Sequence, residues 1–201
     1  MRSAELSGTA DELPLFPLKT VLFAGGPLQL RIFEPRYLDM VARCLRGANR
    51  FGVVAIRHGE EVGEATLHDV GTAAEIVDWH QESDGLLGLV AVGRETFRVK
   101  ETQRHTDGLY VGQVEWLAPL PPQPLPPEHA PLAALLRGML DSLQGYRGTD
   151  AAYGDAVWVG CRLAETLPLS LPSRQSLLEI QDALLRLERL VALLRAAETH
   201  A

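Results

Sequence analysis

Between Leu28 and Met40 the chain reads LQLRIFEPRYLDM. Leu28, Leu30 and Ile32 alternate with Gln29, Arg31 and Phe33, the two-residue period of a half-buried strand. The alternation stops at Glu34. Pro35 suits the first position of a helix, because its fixed φ is helical and its missing N–H would have had no partner inside the helix. Tyr37, Leu38, Val41, Cys44 and Leu45 then share one helical face, and Gly47 supplies a stop. Further strands are predicted at Phe51 to Ile56, Val70 to Trp79, Leu86 to Val92, Thr96 to Val99 and Tyr110 to Trp116, between turn signals at His58-Gly59, Asp84-Gly85 and Asp107-Gly108. A run of short strands with tight turns predicts a sandwich or barrel.

The pattern changes after Leu117. PLPPQPLPPEHAP, from Pro119 to Pro131, excludes a regular helix and disfavours a central strand, so it reads as a stiff linker. Three helices are predicted beyond it, at Leu132 to Tyr146, Ala152 to Leu167 and Arg174 to about Glu198, with Ser173 as the N-cap of the last. Leu177, Ile180, Leu184, Leu187, Val191 and Leu194 repeat at heptad spacing along that final helix. A seam of three heptads is short for an independent coiled coil, so it is expected to pack within its own bundle, leaving a monomer or weak homodimer. The chain thus divides into a β-rich part over 1–118, with a flexible tail at 1–11, a linker over 119–131 and a helical bundle over 132–201, an α+β organisation.

Composition changes this picture in two respects. The net charge is −7 and the basic residues are scattered singly, which leaves no cationic stripe for a phosphate backbone and argues against nucleic acid. Cys44 and Cys161 both lie in apolar helical patterns, as buried free thiols do, which fits a reducing compartment. The first twelve residues carry no apolar signal core and no run is long enough to span a bilayer, so a cytoplasmic location without membrane contact is expected.

The familiar catalytic signatures are missing from the sequence. Lys19 and Lys100 are the only lysines and neither completes a phosphate-cradling loop, and no G-x-S-x-G, H-E-x-x-H or C-x-x-C occurs. His80, Ser83 and Asp84 form a triad-like run, but at a hairpin tip, where turn chemistry explains them. His58, Glu60, Glu61 and His68 read as a solvated hairpin edge rather than a metal site. The expectation is a non-enzymatic protein without cofactor or metal. Glu34 and Arg36 differ from these in flanking apolar Phe33 and Tyr37. They are read either as a structural ion pair at the strand-to-helix corner or as a polar lip for a bound partner.

LPLFPL (13–18), VLFAGGPLQLRIFEPRY (21–37), FGVV (51–54), VGTAAEI (70–76), GRETFRV (93–99) and LPLSLPSRQSLLE (167–179) occur in that order. Together they resemble the amino-terminal, substrate-recognition domain of the Lon protease family. Ala24 stands where that family commonly has proline, and Thr96 where it often has a second basic residue. The resemblance implies a PUA-like, six-stranded β pseudo-barrel followed by a helical bundle with a long final helix. It also implies a recognition unit without the family's ATPase and protease modules. Such a unit would bind unfolded or tagged polypeptides, in connection with a protease or chaperone system, through an apolar groove between barrel and bundle or an open barrel edge. Phe33, Glu34, Arg36 and Tyr37, with Arg94, are the candidate binding residues. Some PUA-like relatives bind RNA, the alternative that the charge disfavours. Another group sharing the domain binds small molecules through an appended C-x-x-C zinc domain, and this chain has no such motif.

Overall fold

A computed structural model describes residues 11–61, 63–141 and 151–199. Six strands, β1 (Asp11–Leu18), β2 (Pro27–Ile32), β3 (Arg50–Gly59), β4 (Ala65–Gln81), β5 (Leu87–Arg104) and β6 (Tyr110–Trp116), form one sheet. Its order is β2-β5-β4-β3-β1-β6, and a further β5–β6 pairing closes the ring. Every pairing is antiparallel except β1 with β3. The closed ring comprises β1, β3, β4, β5 and β6. β2 hangs outside it, paired among the described residues with β5 alone. The ring closes because β4 and β5 are long enough to bend, with register shifts along their ladder at Thr72/Ala74 and Ile76/Asp78.

The two short strands expected at Leu86–Val92 and Thr96–Val99 are one continuous strand, β5. Gly93, between the two expected strands, permits a close approach. The β1–β2 loop lies against it, with Gly25 N–H donating to Gly93 O and Gly93 N–H to Gly26 O, and a Cβ on Gly93 would come within 2.1 Å of Phe23 O. Asp11, assigned to the tail, is the first residue of β1, while the rest of that tail lies outside the described residues.

Helix α1 (Pro35–Arg46) begins at Pro35 behind Glu34 and ends at Gly47, as its sequence predicts. It buries Tyr37, Met40, Val41 and Cys44 against the barrel, where Tyr37 stacks on Phe16 with centroids 4.0 Å apart.

The remaining helices are α2 (Ala130–Leu140), α3 (Ala156–Thr166), α4 (Leu171–Glu179) and α5 (Ala183–Thr199). The stretch predicted as one long final helix is therefore two. Ser170, not Ser173, caps α4 by accepting from Ser173 N–H, and Pro172 sits harmlessly in the first turn. Between α4 and α5 the Asp182 carboxylate accepts from Leu185 N–H, a new N-cap, while the buried Arg186 guanidinium donates to Leu177 O and Ile180 O at the end of α4. The expected extension of α2 to Tyr146 reaches residues outside those described.

Barrel and bundle share a core. Val21, Phe23, Ala55 and Val70 pack in one cluster with Leu136, Val159, Leu163, Leu177 and Leu187. The rest of the barrel interior forms separate clusters around Phe16, Phe51 and Tyr37 and around Leu15 and Phe97. Among the described residues no helix is long and apolar enough to cross a membrane.

Candidate functional site at the corner of β2 and α1

The corner is built around a buried ion pair. Arg36 is 8% exposed and Glu34 20%, and they meet at 2.7 Å. The Arg36 guanidinium also donates to Gly108 O at 2.9 Å and Glu61 O at 3.3 Å, and lies 4.7 Å from the centre of the Tyr37 ring. One side chain thus ties together the start of α1, the β5–β6 turn and the loop after β3. This is the structural ion pair that the sequence offered as one of two readings.

The two aromatics beside the pair point opposite ways. Tyr37 is 3% exposed, and burial pushes its phenol up to about 12. Phe33 is 61% exposed although it is a large hydrophobic residue. It stands between two hollows. One, of about 360 Å³, is lined by Gln29, Leu30, Arg31, Phe33 and Glu34 on one side and Phe16, Leu18, Tyr37 and Glu61 on the other. Consecutive strand residues face opposite sides of a sheet, so a hollow touching 29, 30 and 31 in succession runs along the strand's margin. Among the described residues that margin carries no neighbouring strand, because β5 is the only partner of β2 there. The second hollow, of about 330 Å³, lies beyond Phe33 against Ile32, Leu38, Trp79, Leu86 and Leu87. Leu38 and Trp79 are themselves exposed, so the corner presents an apolar surface on either side of Phe33.

Phe33, Glu34, Arg36 and Tyr37 are therefore together. Arg94 is elsewhere: it pairs with Glu75 on the sheet surface and borders a space between barrel and bundle with Phe23, Ala24, Pro119 and Cys161. That space holds about 110 Å³, room for a few waters and not for an extended chain. Trp79 and Leu86 were not among the candidate binding residues, because only the folded sheet brings the end of β4 and the β4–β5 turn beside β2.

The polar runs set aside in the sequence show ordinary surface contacts. His80 Nε2 faces Glu82 at 3.2 Å, Asp84 pairs with Arg31, and Ser83 is exposed. Glu60 pairs with Lys19, and Glu61 accepts from Lys19 N–H. The imidazole of His68 is lowered from its ordinary pKa, first by burial and then by Arg57. Cys44 and Cys161 are buried free thiols, both pushed up by desolvation.

Comparison with known proteins places this geometry in context. The sequence model of the ATP-dependent protease La (LON) substrate-binding domain matches residues 12–156. A crystal structure of a Lon N-terminal domain protein from Xanthomonas campestris superposes with a TM-score of 0.78 at 41% identity, covering 90% of this chain and 98% of that one. Lon protease 2 of Herpetosiphon aurantiacus is 29% identical over 212 residues, covering 94% of this chain and 24% of its own length. Cereblon of Danio rerio is 30% identical over 131 residues, covering 63% of this chain and 29% of its own. The chain thus spans less than a third of these two curated relatives.

Proposed function

The chain belongs to the LON substrate-binding domain family, and we propose that it holds extended or partly unfolded polypeptide at the β2–α1 corner without chemically altering it. The observation that carries the proposal is the one-sided strand β2, whose free margin opens on an apolar hollow beside exposed Phe33.

A strand margin offers backbone N–H and C=O groups, so an incoming segment pairs with it regardless of sequence. Side-chain preference then comes from the hollows. Residues two apart on an extended chain are about 7 Å apart and face the same side. A segment laid along β2 would seat one apolar side chain against Phe16, Leu18 and Tyr37, and another past Phe33 against Leu38 and Trp79. Folded proteins keep their strands paired and their apolar side chains buried, so such a site favours loose chains over native ones. The corner ion pair stays structural in this account: it keeps Glu34 and Arg36 satisfied and holds α1 against the hollow. A cytoplasmic setting and cooperation with a separate protease or chaperone belong to the same proposal.

The test is fluorescence anisotropy of a labelled polypeptide kept unfolded by reduction and carboxymethylation. Saturable binding is expected, weakened about tenfold or more by Phe33→Asp, with the variant's thermal melting unchanged because Phe33 is already exposed. Equal binding by the folded variant, or none by the parent, would overturn the proposal.

A further inference from the structure

Another hollow lies at a different place, where the end of α1 meets the start of β1 and the end of β6. It has a volume of about 510 Å³, within the range of small-molecule sites, and shares no lining residue with the corner hollow beside β2. Its apolar surface comes from Leu13, Pro14, Leu109 and Val111, with the indole of Trp116 at one side. That indole is fixed in place: its Nε1–H donates to the Asp11 carboxylate at 2.7 Å, and Phe97 packs edge-on against it at 5.9 Å. The Arg50 guanidinium lies over the ring, 4.6 Å from its centre. Arg43, from the last turn of α1, and His105, from the β5–β6 turn, also line the hollow.

Most basic residues of the barrel region have a carboxylate partner. Lys19, Arg31, Arg36, Arg57, Arg94, Lys100 and Arg104 each pair with a carboxylate. Among the described residues of the barrel region Arg43, Arg46, Arg50 and Arg98 do not, although the chain carries seven more acidic than basic residues, and two of the four, Arg43 and Arg50, line this one hollow. Two guanidiniums at one cavity, neither of them in a salt bridge, provide forked donors for an oxyanion. Two carboxylates in the same lining limit how much negative charge fits. Asp11 and Glu12 line the same hollow, so a phosphate with its double charge would meet two carboxylates, whereas a single carboxylate is offset by the two arginines.

We propose that this hollow binds a single carboxylate attached to a flat apolar body, the carboxylate at Arg43 and Arg50 and the body against the Leu13–Val111 surface and the Trp116 indole. Two sources carry that chemistry: a free aromatic acid, and the C-terminal residue of a polypeptide. Binding here is independent of the corner site.

The indole N–H of Trp116 reports on the cavity in NMR spectra of the ¹⁵N-labelled protein, since it is hydrogen-bonded to a lining residue. N-acetylphenylalanine is expected to shift this resonance saturably. N-acetylphenylalanine amide, which lacks the charge, should bind at least about tenfold more weakly, and Arg43→Gln or Arg50→Gln should each weaken the acid by about tenfold. Phe33→Asp should leave it unchanged. A six-residue peptide ending in phenylalanine distinguishes the sources: tighter binding than N-acetylphenylalanine assigns the site to a chain terminus, and equal or weaker binding assigns it to a free acid. No saturable shift with the acid, equal affinity for acid and amide, or indifference to both arginine substitutions would overturn the proposal.

Discussion

Tyr37 and Cys44 show at the scale of single residues how the barrel's interior responds to pH. Both lie on the buried face of α1. Burial is the first cause of both shifts and outweighs the opposing pull of Arg36 on Tyr37 and of Arg43 on Cys44. The phenol is pushed up to about 12 and the thiol to about 11. A thiol whose ordinary value is 9.0 ionises in the unfolded chain before it does in the folded one. Above pH 9 the unfolded state therefore binds fewer protons, and stability falls as pH rises until the folded thiol also ionises near 11. Tyr37 acts in the same direction between pH 10 and 12. Urea midpoints should hold steady up to about pH 9 and then decline, each group contributing on the order of 2 kcal/mol. Cys44→Ala and Tyr37→Phe should each flatten that decline, and an unaltered slope in both would contradict the assignment. Burial of Tyr37 and pairing of Glu34 with Arg36 were legible because a charged pair flanked by aromatics has few other stable arrangements. The alternation also set Phe33 with Gln29 and Arg31, on the face away from the core. Tyr37 is held inside by stacking on Phe16, a neighbour from another strand that no local pattern reveals.

At the scale of elements, the break between α4 and α5 is the clearest case in which a strong periodic signal coexists with an interruption. Leu177, Leu184 and Leu187 keep their heptad spacing across it, so hydrophobic rhythm alone reads straight through. The local signal was Asp182, an N-cap residue just before an apolar run. Its carboxylate accepts from Leu185 N–H at 2.9 Å. The other half of the device depends on tertiary packing. Arg186 is buried, donates to Leu177 O and Ile180 O, and reaches Cys161 Sγ at 3.3 Å. It thereby satisfies carbonyls that a continuing helix would have bonded itself, at the negative end of the α4 dipole. Asp182→Ala should cost about 1 kcal/mol, whereas Arg186→Met, which leaves two carbonyls without a donor, should cost roughly 2–3 kcal/mol. Urea denaturation measures both. Equal small losses would show that the cap, and not the buried guanidinium, sustains the break.

Over the whole molecule, the sequence led to the expectation of a boundary between the β-rich and helical regions at the proline-rich run, because proline interrupts both kinds of regular structure. What the sequence did not disclose is how far they interlock. The proline-rich run is fastened to the start of α3: Gln123 N–H donates to the Asp155 carboxylate, Ala156 N–H to Gln123 O, and Leu125 N–H to Gly154 O. Arg162, almost completely buried, donates to Ala24 O at 2.6 Å, and its partner Glu165 accepts from Phe23 N–H at 3.2 Å, so α3 grips the β1–β2 loop that precedes the candidate binding strand. From α4, Gln175 Nε2 donates to Val70 O in β4. Polar donors at this depth, one of them charged, bond to backbone that belongs to the barrel, so unfolding the bundle alone would leave Ala24 O and Val70 O without them and expose Phe23 and Val70. Barrel and bundle should therefore unfold as one unit. The helical circular dichroism signal and the indole resonance of Trp116, which sits in the barrel, should lose structure at the same urea concentration. Arg162→Met should lower both midpoints equally, because a single transition cannot be destabilised on one side only. A variant in which the helical signal shifts while Trp116 stays native would show instead that the bundle melts by itself, and that β2 is positioned by the barrel without help from α3.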